Sequence, residues 1–126
     1  MVTEFTLKLA NRPGQLAALA EILGSAGVNI EALAAFGMNE EGHVRMVVSD
    51  PELARRALDE AGFTLEEREI LSTVLPNHPG SFAKMARSLA EAGVNIDAAY
   101  LLRTGPDGHE FAIAVTELEP AQHRLL

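Results

Sequence analysis

The chain has 126 residues, 48% of them hydrophobic and 22% charged, and carries a net charge of −8 at pH 7. That balance belongs to a globular protein, and the negative charge disfavours nucleic acid and anionic membranes by repulsion. The absence of cysteine excludes a disulfide framework, a thiol nucleophile and a thiolate metal site.

The first strand is legible in Phe5, Leu7 and Leu9, which alternate with Thr6 and Lys8. Asn11-Arg12-Pro13-Gly14 breaks the alternation, and Pro13 suits the first turn of a helix, where a missing N–H costs nothing. Leu16, Leu19, Ala20 and Leu23 follow at helical spacing, with Gly27 as the left-handed residue that closes the helix. Val28 to Phe36 reads as a second strand with Ile30, Ala32, Ala34 and Phe36 on one face. A turn at Asn39–Gly42 leads to a third strand through Val44, Met46 and Val48. Asp50-Pro51-Glu52 then opens a helix with a capping carboxylate, a proline and an acid in its first turn. Its apolar stripe is Leu53, Ala54, Ala57, Leu58 and Ala61, and Gly62 ends it.

From Phe63 to Pro76 no Gly or Pro intervenes before Pro76, so one long strand, or two nearly continuous ones, is expected to serve two sheets. Leu71, Thr73 and Leu75 lead into Asn77-His78-Pro79-Gly80. Phe82, Met85, Ala86 and Leu89 make a helix stripe that Gly93 closes. Strands over Ile96–Arg103 and Phe111–Thr116 flank a turn at Gly105–Gly108, and Glu119-Pro120 starts a helix running to Leu126.

The chain therefore states its pattern twice, 66 residues apart. Between residues 11–32 and 77–98, 12 of 22 positions are identical, and Ala26-Gly27-Val28-Asn29-Ile30 recurs unchanged as Ala92–Ile96. A fixed period marks a duplicated folding unit. Two units are expected, 1–69 and 70–126. Each is so small that it buries only roughly 60% of its unfolded surface, so the halves should pack on each other or on a second chain. The counterpart of the strand near Phe63 would lie beyond Leu126, so the second unit is expected to lack its last strand and to cover that edge by homodimerisation.

Two strand-helix-strand-strand-helix-strand patterns, each with Asn-x-Pro-Gly before the first helix and Ala-Gly-Val-Asn-Ile after it, resemble tandem ACT domains. The resemblance implies an α+β protein of two ferredoxin-like βαββαβ units with antiparallel sheets, the second lacking its last strand. It further implies a stand-alone regulatory protein that binds an amino acid between neighbouring modules, beside the loop from first strand to first helix. Carried over by motif position, the ligand-binding residues are Asn11, Arg12, Gly14, Gln15 and Asn29 in the first copy. In the second they are Asn77, His78, Gly80, Ser81 and Asn95. If one site dominates, the copy with His78 and Asn95 is the expected one.

The chemistry suits such a ligand. A helix N-terminus offers free N–H groups and a positive dipole end to a carboxylate. Asparagine supplies both donors and an acceptor, and Arg12 can add a charge-assisted bond. Each residue also has a structural reading: Pro-Gly is common turn chemistry, the later Asn can satisfy local backbone, and Arg12 can be surface. His43 and His109 occupy matching places after the hairpin glycines Gly42 and Gly108. Neither has a second ligand at metal spacing, so no metal and no cofactor are expected.

Catalysis is not expected, because no nucleophile-base arrangement and no phosphate-binding glycine loop occur. RNA recognition through a ferredoxin-like sheet needs stacking aromatics on the central strands, and only Phe111 is aromatic there. The alternative is a protein-interaction subunit of an amino-acid-metabolism enzyme, with ligand binding weak or absent. The start Met1-Val2-Thr3-Glu4 lacks a signal-peptide pattern and no apolar run nears the ~18 residues of a membrane span, so a cytoplasmic protein without membrane contact is expected.

Overall fold

The computed structural model describes residues 1–125. In chain order it contains β1 (Val2–Ala10), α1 (Gln15–Ser25), β2 (Ile30–Met38), β3 (Glu41–Val48), α2 (Pro51–Glu60), β4 (Leu65–Leu75), α3 (Ser81–Glu91), β5 (Ile96–Gly105), β6 (Gly108–Val115) and α4 (Leu118–Leu125). This is an α+β protein of two repeated units, and among the described residues no strand follows α4. Leu126, the expected end of the last helix, lies outside the described residues. No helix among them is long and apolar enough to cross a membrane.

The chain divides into two compact units. One comprises Thr3–Arg68; the other comprises Met1–Val2 and the chain from Glu69 onward. The strand order is β2-β3-β1-β4 in the N-terminal unit and β4-β6-β5 in the C-terminal unit. Of the one long strand or two nearly continuous ones expected between Phe63 and Pro76, β4 is the first, its opening residues in one unit and the remainder in the other.

Helix ends follow from the glycines. Gly27, Gly62 and Gly93 have φ of 79°, 85° and 73°, the left-handed conformation that a side chain resists. At α1 the Gly27 N–H donates to the Gly24 carbonyl and the Val28 N–H to the Leu23 carbonyl, satisfying the last turn in a Schellman arrangement. The same pair of bonds closes α3, from Gly93 to Ala90 and from Val94 to Leu89. α2 starts as the sequence predicts, with Asp50 Oδ1 accepting from the Leu53 N–H at 3.1 Å and Pro51 in the first turn. Pro13 differs. It precedes Gly14, which is the N-cap of α1, so the proline sits in the turn and not in the helix.

The alternation in β1 delivers Phe5 and Leu7 to a core with Leu19 and Leu23 of α1, Val44 and Met46 of β3, and Leu58 of α2. Leu71, Met85, Leu89, Ile113, Val115 and Ala121 make the corresponding core of the C-terminal unit. Each such Val, Leu, Ile, Phe or Met side chain contributes roughly 1.5–3 kcal/mol on burial, so tertiary packing of the apolar stripes holds these short helices. On the helix-free face of β1 the Glu4 carboxylate is fully buried and accepts a 2.9 Å bond from Arg45 Nη1. On α2, Arg55 Nη2 donates to Glu67 Oε1 at 2.7 Å, and this bond lowers the Glu67 carboxyl below its ordinary pKa.

β2 departs from the sequence reading. It starts at Ile30, and its register against β3 shifts between Ile30 and Ala32. Because the side-chain period is two, that bulge moves Ile30 to the helix side with Leu33 and Ala35, while Ala32, Ala34 and Phe36 face the other way.

Candidate functional site

β1 ends at Ala10, and the chain turns through Asn11–Gly14 into α1. Gly14 has φ +89°, and a Cβ on it would meet nothing within 4 Å. Conformation, not crowding, therefore requires glycine there. No side chain caps α1; its first intrahelical bond runs from the Ala18 N–H to the Gly14 carbonyl at 3.0 Å. The Gln15 N–H donates to the Arg12 carbonyl at 3.4 Å, which leaves the N–H groups of Leu16 and Ala17 beside the loop.

Asn11 anchors this loop to the β2–β3 hairpin. Its backbone N–H donates to the Glu40 carbonyl and its Nδ2 to the Asn39 carbonyl, both at 2.9 Å. Asn39 itself has φ +56°, a conformation asparagine tolerates in a tight turn. The Asn11 side chain lies over Gly37, where a Cβ would come within 2.4 Å of Nδ2 and 2.7 Å of Cγ. In the register, Gly37 faces Gly42, which in turn faces Leu9 of β1.

The absent side chain of Gly42 leaves a cleft of about 180 Å³ on the helix side of the sheet, beside the Asn11 side chain that covers Gly37. Asn11, Arg12, Gln15 and Leu16 line its mouth, with Leu9, Ala35 and Val44 as apolar walls. None of its lining residues is acidic. On the helix-free side of the same hairpin, His43 stacks on Phe36 with ring centroids 5.0 Å apart and lies 3.4 Å from the Glu41 carboxylate.

Asn29 does not join this group. Its N–H donates to Ser49 Oγ at 2.9 Å, and its carbonyl accepts from the Ser49 N–H at 2.9 Å. Ser49 lies seven residues along the chain from Gly42, or about 23 Å at about 3.3 Å per strand residue. The structure thus brings Asn11, Arg12, Gly14 and Gln15 together and leaves Asn29 at the far end of the sheet.

The family model of the ACT domain pair matches residues 1–117. The chain belongs to this family. A Bacteroides thetaiotaomicron protein has a similar solved structure, with a TM-score of 0.89 and 25% identity over 97% of this chain and 84% of that one. The ligand-free regulatory subunit of aspartate kinase from Thermus thermophilus is similar in fold, with a TM-score of 0.68 and 18% identity over 98% of this chain and 85% of that one. The regulatory subunit of aspartate kinase from Thermus flavus gives 0.64 and 19%, over 98% and 91%. No curated protein matches the sequence.

The second ACT module repeats the loop. Gly80 has φ +90° and precedes α3 as Gly14 precedes α1. Ser81 Oγ lies 3.0 Å from His78 Nδ1, so these two expected ligand residues engage each other. Asn77 is exposed in the same loop. Asn95 sits at the opposite end, its Nδ2 donating to Asp97 Oδ1 at 3.0 Å and its carbonyl accepting from Thr116.

The strand register also corrects the pairing of the two histidines. Leu75 faces His109 as Leu9 faces Gly42, and Leu71 faces Ile113 as Phe5 faces Met46. His109 is therefore the counterpart of Gly42, and Glu110 that of His43. The cause is an irregularity in β5 between Leu101 and Arg103, which makes Leu102 an extra residue and lengthens the repeat by one. The cleft residues Leu9, Leu16, Ala35, Gly37, Gly42 and Val44 went unread in the sequence. Two glycines inside a strand pattern were the available signal, since they mark close backbone approach.

Proposed function

We propose that this ACT pair is a non-catalytic regulatory protein that binds an amino acid beside the Asn11–Gly14 loop and responds by a change in self-association. The observation that carries the reading is the cleft itself. It joins uncapped N–H groups of α1, Asn11, Arg12 and Gln15 to an apolar interior over a glycine floor. A carboxylate matches the helix N-terminus and Arg12, and amide oxygens of Asn11 and Gln15 are acceptors for an ammonium. The regulatory part accords with the similar structures that are aspartate kinase regulatory subunits.

Self-association is the proposed output because Gly37 of the cleft floor lies on β2, the outer strand in the order β2-β3-β1-β4. In this reading a homodimer also brings Asn29 or Asn95 of one chain toward the loop of another. A ligand with different affinity for the two assembly states shifts their populations. The exposed Phe36 and Met38, on one face of the same strand, favour a second reading, in which a metabolic enzyme docks there.

A thermal-shift screen of the twenty amino acids tests the proposal. At least one is expected to give a saturable stabilisation, reaching about 2.7 kcal/mol at a hundredfold excess over Kd. Asn11→Ala is expected to weaken the shift while the unliganded protein stays folded. No saturable shift at millimolar concentration would sink the amino-acid reading and leave the docking one.

A further inference from the structure

The two modules descend from one pattern, yet five apolar positions of the cleft's walls and floor differ between them. With the register as guide, Leu16 corresponds to Phe82, Ala35 to Leu101, Gly37 to Thr104, Gly42 to His109 and Val44 to Phe111. At every one of these positions the second module carries the larger side chain. The rings also meet. Phe82 and Phe111 are edge to face with centroids 5.3 Å apart, and His109 lies 6.2 Å from Phe111. A slot floored by glycine in one module is thus occupied in the other by three aromatic rings.

We infer that each chain holds one amino-acid site, in the N-terminal module, and that this site takes a small aliphatic side chain. The inference rests on the amino-acid reading proposed above and adds its stoichiometry and selectivity. Mutually packed aromatic rings gain dispersion and edge-to-face attraction, so opening the second slot would sacrifice those contacts for a ligand. The first slot needs no such rearrangement, because Gly42 carries no side chain and Asn11, held over Gly37, is itself one of the polar lining residues.

Selectivity follows from size and lining. An apolar cavity of about 150 Å³ accepts benzene. At about 180 Å³ this cleft takes the side chain and α-carbon of alanine, valine or leucine and leaves little room for the larger indole ring. Leu9, Leu16, Ala35 and Val44 give that side chain apolar contact, and the lack of an acidic lining residue disfavours lysine and arginine.

The test is calorimetric titration of the full chain with alanine, valine, leucine, isoleucine, phenylalanine and lysine, using variants that copy the second module into the first. Gly42→His reproduces His109, and the backbone tolerates a side chain there, since a Cβ would lie an ordinary 3.5 Å from the Leu9 carbonyl. Leu16→Phe reproduces Phe82 at a half-exposed helix position and is the second filling variant. The expected result is one aliphatic amino acid per chain, with lysine at least about tenfold weaker. Each filling variant should weaken binding about 10–200-fold, the range for misfit in an apolar pocket. Phe82→Leu should leave the first site's affinity unchanged.

Two equivalent sites per chain, or Gly42→His and Leu16→Phe both binding as the natural chain does, would overturn the inference and leave the amino-acid reading standing. A preference for phenylalanine or lysine would overturn the selectivity. No binding of any of these six would overturn the inference, and no saturable shift with any of the twenty in the thermal screen would overturn the reading underneath.

Discussion

Gly37 and Asn11 give the site its most quantitative test. A Cβ on Gly37 would intrude to 2.4 Å from Asn11 Nδ2, so Gly37→Ala must displace the Asn11 side chain and break its 2.9 Å bond to the Asn39 carbonyl. A bond of this type contributes about 0.5–1.5 kcal/mol. Against that loss stands a gain of about 0.4–1 kcal/mol from the restricted unfolded chain, because Gly37 has no left-handed backbone to protect. The net change in the natural background is within about 1 kcal/mol.

In an Asn11→Ala background the bond is already absent and the clash is gone, so Gly37→Ala should there stabilise by about 0.4–1 kcal/mol. The coupling between the two positions is thus about 1 kcal/mol, well outside the roughly 0.3–0.5 kcal/mol within which independent sites add. Urea denaturation of the natural chain, both single variants and the double variant measures it directly. If Gly37→Ala has the same effect in both backgrounds, the Asn11 side chain does not lie over Gly37 and the geometry assigned to the cleft floor is refuted.

Two further variants probe the scaffold around the site. A Cβ on Gly108 would lie 2.1 Å from the Leu75 carbonyl oxygen at φ +127°, so Gly108→Ala should cost at least about 2 kcal/mol, whereas Gly105→Ala, with nothing within 4 Å, should change denaturation midpoints little. Glu4→Gln should destabilise by about 1–3 kcal/mol in urea, because it strips the charge from a fully buried carboxylate that receives Arg45; an unchanged midpoint would show that the bond is dispensable.

Much of the fold was legible because local chemistry and the core agree. Alternation at Phe5, Leu7 and Leu9, the Asp50-Pro51 start and the glycine stops after the helices each act over a few residues, and each survives in the structure. What resisted reading depends on pairing between distant segments. The bulge after Ile30 and the extra Leu102 exist only relative to a neighbouring strand, so no window of sequence displays them. The loop half of the candidate site was readable for the same local reason: Asn-x-Pro-Gly is a turn followed by a helix. The cleft floor was not, since Gly37 and Gly42 meet only when β2 and β3 pair. Asn29 and Asn95 were grouped with the loops by resemblance, while strand length holds each at the opposite end of its own sheet.

Leu102 also sets the rule by which the two halves can exchange parts. Up to Leu101 a residue and its twin differ by 66 in number; from Arg103 on they differ by 67. A graft of binding residues that kept the earlier interval would place every transplanted β6 side chain on the wrong side of the sheet. The bulge works as a phase correction: it absorbs one added residue and returns Phe111, Ile113 and Val115 to the core side. A duplicated gene can therefore gain a codon in this hairpin and still encode the same module, free to change what the module binds.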